Sequence, residues 1–182
     1  MRTISTPVWL KKKREHALEL FSTLPQPNFK YGTSIRADYG ELQFKPVDVS
    51  TDSELIVDAP SEAIVLPLFE AIKAHGKVIE EHLFSLFDMD AHKMAAFHAS
   101  FVREGLFIYI PQHAELKKPI VIRRTASKKT SLHHILVVAD EGSICEVIEQ
   151  LASEDAAIVS NAVEIVVKKN ADVKWRSVQD YS

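Results

Sequence analysis

Apolar positions in the first half of the chain recur at helical spacing, and those in the second half fall into short runs rich in Val, Ile and aromatic residues. Leu10, Ala17, Leu18, Phe21 and Leu24 share one face of a helix that Thr6 caps, Pro7 opens and Pro25-Gln26-Pro27 ends. From Asn28 to Pro60 the pattern is irregular and polar, with a short strand expected over 41–44. Pro67 opens a second helix carrying Leu68 and Ile72, Gly76 breaks it, and Val78, Ile79, Leu83, Leu86 and Phe87 restart the stripe. Asp90 is the expected N-cap of a last helix whose Met94, Phe97 and Phe101 face inward.

After Gly105 the pattern predicts strands over 106–111, 119–123, 132–139, 144–148, 162–167 and 173–178. A repeat runs through them: a β-run, a polar turn, a small residue, one polar residue, then an apolar residue opening the next strand. Ala114, Gly142 and Ala171 are the small residues and Leu116, Ile144 and Val173 the openers, so both sets recur at steps of 28 and 29. A fixed period in the range of roughly 20–50 residues marks stacked architectures, and β units of this kind stack so that each covers its neighbour's apolar surface. The reading is a mainly β fold with α: a helical N-terminal region over residues 1–100, then a partial parallel β-helix core over 101–182.

Composition narrows the function classes. Of 182 residues, 46% are apolar and 26% charged, enough for a sizeable core. The 22 Lys and Arg against 25 Asp and Glu leave a net charge of −3, which argues against a dedicated nucleic-acid or membrane-surface binder. The five glycines form neither a dinucleotide fingerprint nor a P-loop. The single Cys145 excludes an intramolecular disulfide framework and fits a reducing compartment. With no secretory h-region and no long apolar run, the expectation is a soluble cytoplasmic protein.

The eight histidines lack HExxH and HxH spacing. His75 and His82 share a helical face only if Gly76 leaves the helix intact. Asp88, Asp90 and His92 alternate where a loop meets a helix, and a helix-start turn explains them more simply than a metal does. His133 and His134 open a strand, so they point to opposite faces, one expected outward and the other packed. Cys145 reads as a small core residue whose neighbours Glu141, Glu146 and Glu149 raise its pKa. Lys11-Lys12-Lys13-Arg14 reads as a solvated helix face. No GxSxG elbow is present. The residues alone define no catalytic, cofactor or metal site.

Three ordered stretches carry a resemblance. Asn161-Ala162-Val163-Glu164-Ile165-Val166-Val167, followed by Asn170-Ala171-Asp172-Val173-Lys174-Trp175 and Ser177-Val178-Gln179-Asp180-Tyr181, resembles the SufB/SufD family of iron–sulfur cluster assembly proteins. Phe101-Val102-Arg103-Glu104-Gly105-Leu106-Phe107-Ile108-Tyr109-Ile110-Pro111 and Leu136-Val137-Val138-Ala139-Asp140-Glu141-Gly142-Ser143 agree with the family's core text. The resemblance implies a right-handed parallel β-helix after a helical region. It also implies a scaffold role in building Fe–S clusters, with a SufB/SufD-type partner or self-association through the β-helix edge. A SufC-type ATPase is a further implied partner, although its usual docking region has no counterpart here. Asp180 and Tyr181 stand where the family has Asn and Trp. Of the family's functional interior only Gln179 has a matching position.

The expected function is therefore a non-catalytic scaffold or interaction subunit. No cofactor is expected in the isolated chain, an Fe–S cluster only within a complex. The last rung, at Ser182, is expected to leave an open edge. The competing class is a β-helix carbohydrate-binding or polysaccharide-acting protein, which would need clustered Asp carboxylates for calcium on one sheet. Asp140 and Asp172 fall in turns instead. A histidine-lined binding barrel would need the absent HxH spacing.

Overall fold

The computed structural model describes residues 6–26, 28–31, 35–38, 49–126, 129–153 and 158–181. Helix α1 (Val8–Thr23) is followed by the antiparallel pair β1 (Asn28–Tyr31) and β2 (Ile35–Asp38). Three short strands come next: β3 (Val49–Ser50), β4 (Glu54–Asp58) and β5 (Ile64–Pro67). Helices α2 (Leu68–His82) and α3 (Lys93–Phe101) lead into β6 (Glu104–Ile110), β7 (Ile120–Ala126) and β8 (Thr130–Ala139). The chain continues through β9 (Ile144–Ser153), β10 (Ile158–Val167) and β11 (Asp172–Tyr181).

From β6 onward the chain alternates between two sheets. β6, β8 and β10 pair in parallel in one, and β7, β9 and β11 in the other. Ile108 lies beside Val137 and Val137 beside Ile165, offsets of 29 and 28. In the second sheet Ile120 lies beside Val147, an offset of 27, and Ile144 beside Asp172, an offset of 28. The repeat read from the sequence is therefore a physical one, with its strand openers shifted by one residue: Ile144 bridges Glu115 and pairs with Asp172.

The turns stack as well. His113, Gly142 and Asn170 adopt positive φ of 61, 68 and 59° at equivalent places in successive turns. This is the left-handed region that Gly enters freely and that His and Asn enter more readily than most residues. Each turn donates an amide to the next: His113 N to Glu141 O (2.9 Å) and Gly142 N to Lys169 O (3.0 Å). A Cβ on Gly142 would lie 2.6 Å from His113 Nδ1, so the imidazole occupies the space that glycine leaves.

The β8 sheet has an apolar layer on each face. Phe107, Leu132, Leu136 and Val138 point to the helices and meet Leu68, Ile79, Leu83 and Phe97. Ile108, Ile135 and Val137 point to the other sheet and meet Ile120, Ile122 and Val147. Antiparallel β5 covers the outer edge of β6, and antiparallel β4 covers that of β7. At the far side of each sheet, β10 and β11 have a neighbour on one edge only among the described residues.

Several local expectations shift. α1 begins at Val8 with Pro7 as its N-cap, and no side chain caps it. Gly76 does not break α2, which runs on through a kink at His75 (φ −122°, ψ 24°) and ends at His82. Leu83, Leu86 and Phe87 thus sit in a non-helical turn, and Phe84 has φ 60° there. His92, not Asp90, caps α3: its Nδ1 accepts from Ala95 N at 3.0 Å. β1, β2, β4 and β5 occupy part of the chain expected to be irregular or helical, while the strand expected over 41–44 lies outside the described residues. The strands are longer than the apolar runs, because their ends carry inward polar residues such as Glu149, Ser153 and Asn161.

Gly105 leaves no room for a side chain between the β8 backbone and the helical layer. A Cβ there would lie 2.1 Å from the His134 carbonyl oxygen and 3.1 Å from Leu68 Cδ2. Gly105→Ala is expected to cost about 1–3 kcal/mol or more through overpacking against immovable backbone. Gly76→Ala, with nothing within 4 Å of the new methyl, is expected to gain up to about 1 kcal/mol. Urea unfolding of the two variants checks the contrast, and equal midpoints would refute it.

Candidate functional site

β8 carries two adjacent histidines, and both are buried, at 1% and 0% exposure. The expectation that one would face solvent fails because α2 and α3 cover the outer face of the sheet. Each histidine anchors a polar cluster on its own side.

On the helical side, His134 Nε2 lies 2.7 Å from Glu164 Oε2, and His134 Nδ1 lies 3.2 Å from His98 Nε2. His98 Nδ1 in turn meets Ser160 Oγ at 2.8 Å. Glu164 also accepts the backbone amides of Phe84 (2.7 Å), Leu86 (2.8 Å) and Phe87 (3.1 Å). Phe84 and Phe87 pack edge-on against the His134 ring. An ionised carboxylate only accepts, so when each ring carries one proton the chain has a single polarity. Ser160 then donates to His98, His98 to His134, and His134 to Glu164. Burial pushes the Glu164 carboxyl up, but the His134 bond and charge and the loop amides outweigh it and hold it below its usual range. Burial, followed by the charges of His134, His133 and Arg124, holds His98 well below 6.5. This cluster fastens α3 and the turn after α2 to β8 and β10.

Between the sheets the apolar filling gives way to polar residues at one end. Glu104, His133 and Asn161 are register neighbours across β6, β8 and β10. Facing them, Arg124 is 2% exposed and donates from NH1 to Ser131 Oγ at 3.0 Å, and Ser131 Oγ meets Ser53 Oγ at 2.9 Å. Glu149, 1% exposed, accepts Asn161 Nδ2 at 2.7 Å from across the gap and Ser177 Oγ at 3.0 Å from β11. Burial and then Arg124 push the His133 imidazole down to about 3, partly offset by Asn161, so it is neutral at physiological pH. A cleft of about 600 Å³ opens onto this end, with Glu104, Arg124 and His133 among its lining residues. Desolvated groups of both signs beside a neutral imidazole suit the binding of a polar or charged species.

Gln179 is exposed on β11. It shares the inward parity of Trp175 and Ser177 and stands in the register row of Leu151 and Arg124. Cys145 is buried in the inter-sheet core, where burial and then Asp172, rather than the three glutamates, push its thiol up to about 11. His75 packs on Phe107 and His82 lies near Glu81, so the two histidines do not converge. Asp88 accepts Asp90 N at 3.0 Å in a local turn, and Asp90 lies 3.4 Å from His16. Of the basic run, Lys11 pairs with Glu15 at the surface, whereas Lys13 and Arg14 reach inward to the Leu83 and Val102 carbonyls. Among the described residues no group of three or more His, Cys, Asp or Glu side chains could hold a metal ion. His98, Glu149 and Glu164 escaped the sequence reading, because each lies within an apolar pattern and finds its partners 12 to 80 residues away.

Two family models adjoin along the chain from β3 to β11: the SufBD protein N-terminal region matches residues 48–122, and the SufBD core domain of SUF system FeS cluster assembly matches 122–182. The chain belongs to the SufB/SufD family. It is 23% identical over 220 residues to the iron-sulfur cluster assembly protein SufD of Bacillus subtilis, covering 97% of this chain and 49% of that protein. It is also 22% identical over 165 residues to an iron-sulfur cluster assembly SufBD family protein of Staphylococcus haemolyticus, covering 87% of this chain and 34% of that protein. The SufB/SufD chain described here therefore spans between about a third and a half of the length of these relatives.

The helical-side cluster has a pH signature. His98 and Glu164 both have lowered values, so the folded state binds fewer protons than the unfolded chain. Their contribution is complete above the unfolded histidine value of 6.5 and is lost as the pH falls below it, the Glu164 part below its own 4.5. Urea midpoints are expected to fall steadily from pH 7 to pH 4. Glu164→Gln is expected to cost roughly 2–3 kcal/mol at pH 7, since charged hydrogen bonds are lost, and to flatten the acid limb. A midpoint that stays level over this range in the unsubstituted chain would contradict the assignment.

Proposed function

We propose that this chain is a non-catalytic scaffold subunit of cytoplasmic iron–sulfur cluster assembly, with its two alternating sheets forming a right-handed parallel β-helix. The family match over residues 48–182 carries the reading. The relatives' descriptions as assembly proteins and the 27-to-29-residue rung offsets support it. Among the described residues no helix is long and apolar enough to cross a membrane.

Its partner is a SufB/SufD-type subunit or a second copy, added as further strands along β10 and β11. Among the described residues those strands have one unpaired edge each, and Val167 and Val178 are 48% and 56% exposed. An unpaired edge of this kind is a template for strand addition. A partner strand on β11 would enclose Gln179 and continue the inner row that holds Leu151 and Arg124, which makes Gln179 the residue through which the family's interior reaches this chain. A SufC-type ATPase joins through the partner. Cluster is cargo of the assembled complex, not a resident group of this chain.

The test is the mass of the purified chain in solution, alone and after mixing with SufB- and SufC-type subunits from the same source. A stable complex with the SufB-type subunit, or a homodimer that SufB displaces, is expected. A monomer indifferent to both would overturn the scaffold reading, and ATP hydrolysis or repeated cluster transfer by the isolated chain would overturn its non-catalytic part.

A further inference from the structure

Beside the cleft that opens onto the inter-sheet site, two arginines are held together with no ion-pair partner among the described residues. Arg14 of α1 donates from NH2 to the Val102 carbonyl at 2.8 Å, which brings its guanidinium beside the next residue, Arg103. The Arg14 guanidinium also lies over the Phe69 ring, 5.0 Å from its centroid. A carbonyl on one side and an aromatic face on the other fix its plane. Its Nε is buried with no hydrogen-bond partner among the described residues. Burial, then the charge of Arg103, pulls the Arg14 guanidinium below its ordinary value, the direction expected when like charges face one another.

Neither arginine forms an ion pair among the described residues. Both line a separate cavity of about 180 Å³, walled by Leu10, Phe69 and Ile72 and reaching Pro7 at the uncapped start of α1. Glu70 and Glu104 line the adjoining larger cleft, which shares Phe69 and Arg103 with the smaller one, and neither carboxylate pairs with either arginine. The helix start adds positive potential to that of the two guanidinium groups. The apolar walls leave room for more than a bare ion.

We propose that this cavity binds a small-molecule oxyanion, a phosphate or carboxylate bearing a compact apolar group, with the anion clamped between Arg14 and Arg103 and the apolar part against Leu10, Phe69 and Ile72. Bidentate recognition by paired guanidinium groups gives such a ligand its orientation, and the α1–α2 crevice gives it a size limit. Occupancy ties α1 to the start of β6, and the site is independent of the free sheet edges.

Isothermal titration of the whole chain with phenyl phosphate, benzoate and inorganic phosphate at constant ionic strength tests the proposal. At least one of the aryl anions is expected to saturate below about 1 mM, a free energy near −4 kcal/mol, and inorganic phosphate to bind more weakly. Arg103 is exposed, so Arg103→Gln is expected to leave the ligand-free unfolding midpoint unchanged while weakening the aryl anion at least tenfold. Arg14→Lys keeps the charge but loses the planar fork, and is expected to weaken it as well. Absence of saturable binding by either aryl anion below about 10 mM, or equal affinity in Arg103→Gln and the unsubstituted chain, would overturn the site.

Discussion

Every residue of β8 is buried, so its polar side chains can be met only from inside the protein, and the layers on either side place polar groups against both of its histidines. His134 faces the helices and is met by Glu164 and His98; His133 faces the second sheet, beside Asn161 and Arg124. An unsatisfied buried polar group costs about 1–3 kcal/mol, which is why three loop amides converge on the Glu164 carboxylate. The turn after α2 takes its non-helical course, with Phe84 at positive φ, in the service of that carboxylate. The helical layer is fixed to the sheet by this polar cluster as well as by apolar packing. That combination gives it a fixed position on the sheet rather than a merely favourable one.

The two-sheet stack rests on a different regularity. Parallel strands joined by short turns need each turn to repeat nearly the same path, and one left-handed residue per turn achieves this at His113, Gly142 and Asn170. Only the middle position is glycine, and it is the one whose neighbour's imidazole fills the vacant space. Because the turn amides donate from one turn to the next, the column resists a register slip that would turn the inward row of Ile108, Val137 and Ile165 outward.

This regularity is also what made the second half legible in the sequence. A period near 28 residues survives because turn geometry and strand parity are both enforced at every rung, and all six predicted strands are present. The first half was less readable. β4 and β5 are short edge strands with mixed burial, and their identity depends on β7 and β6, which lie far away in sequence. Gly76 looked like a helix breaker on propensity alone, but its helix is amphipathic and packed, and tertiary burial of Leu68, Ala71 and Ile79 carries it through. The polar clusters were the least legible. Glu149 and Glu164 sit in β-runs as isolated charges, and alternation alone assigns Glu149 to the inside without saying that Asn161 and Ser177 await it there.

The placement of charge connects these layers to the family's chemistry. Interiors of stacked sheets are ordinarily filled with Val, Ile and Leu, as they are here from Ile108 to Val147. At the other end the same interior holds Arg124, Glu149 and a neutral His133, groups whose desolvation no packing requirement demands. In β11, Ser177 stands beside Glu149, and Gln179 stands in the row of Leu151 and Arg124. Burying Arg124, Glu149 and His133 costs more than an apolar filling would, so this end of the interior is the part of the stack that packing alone does not account for.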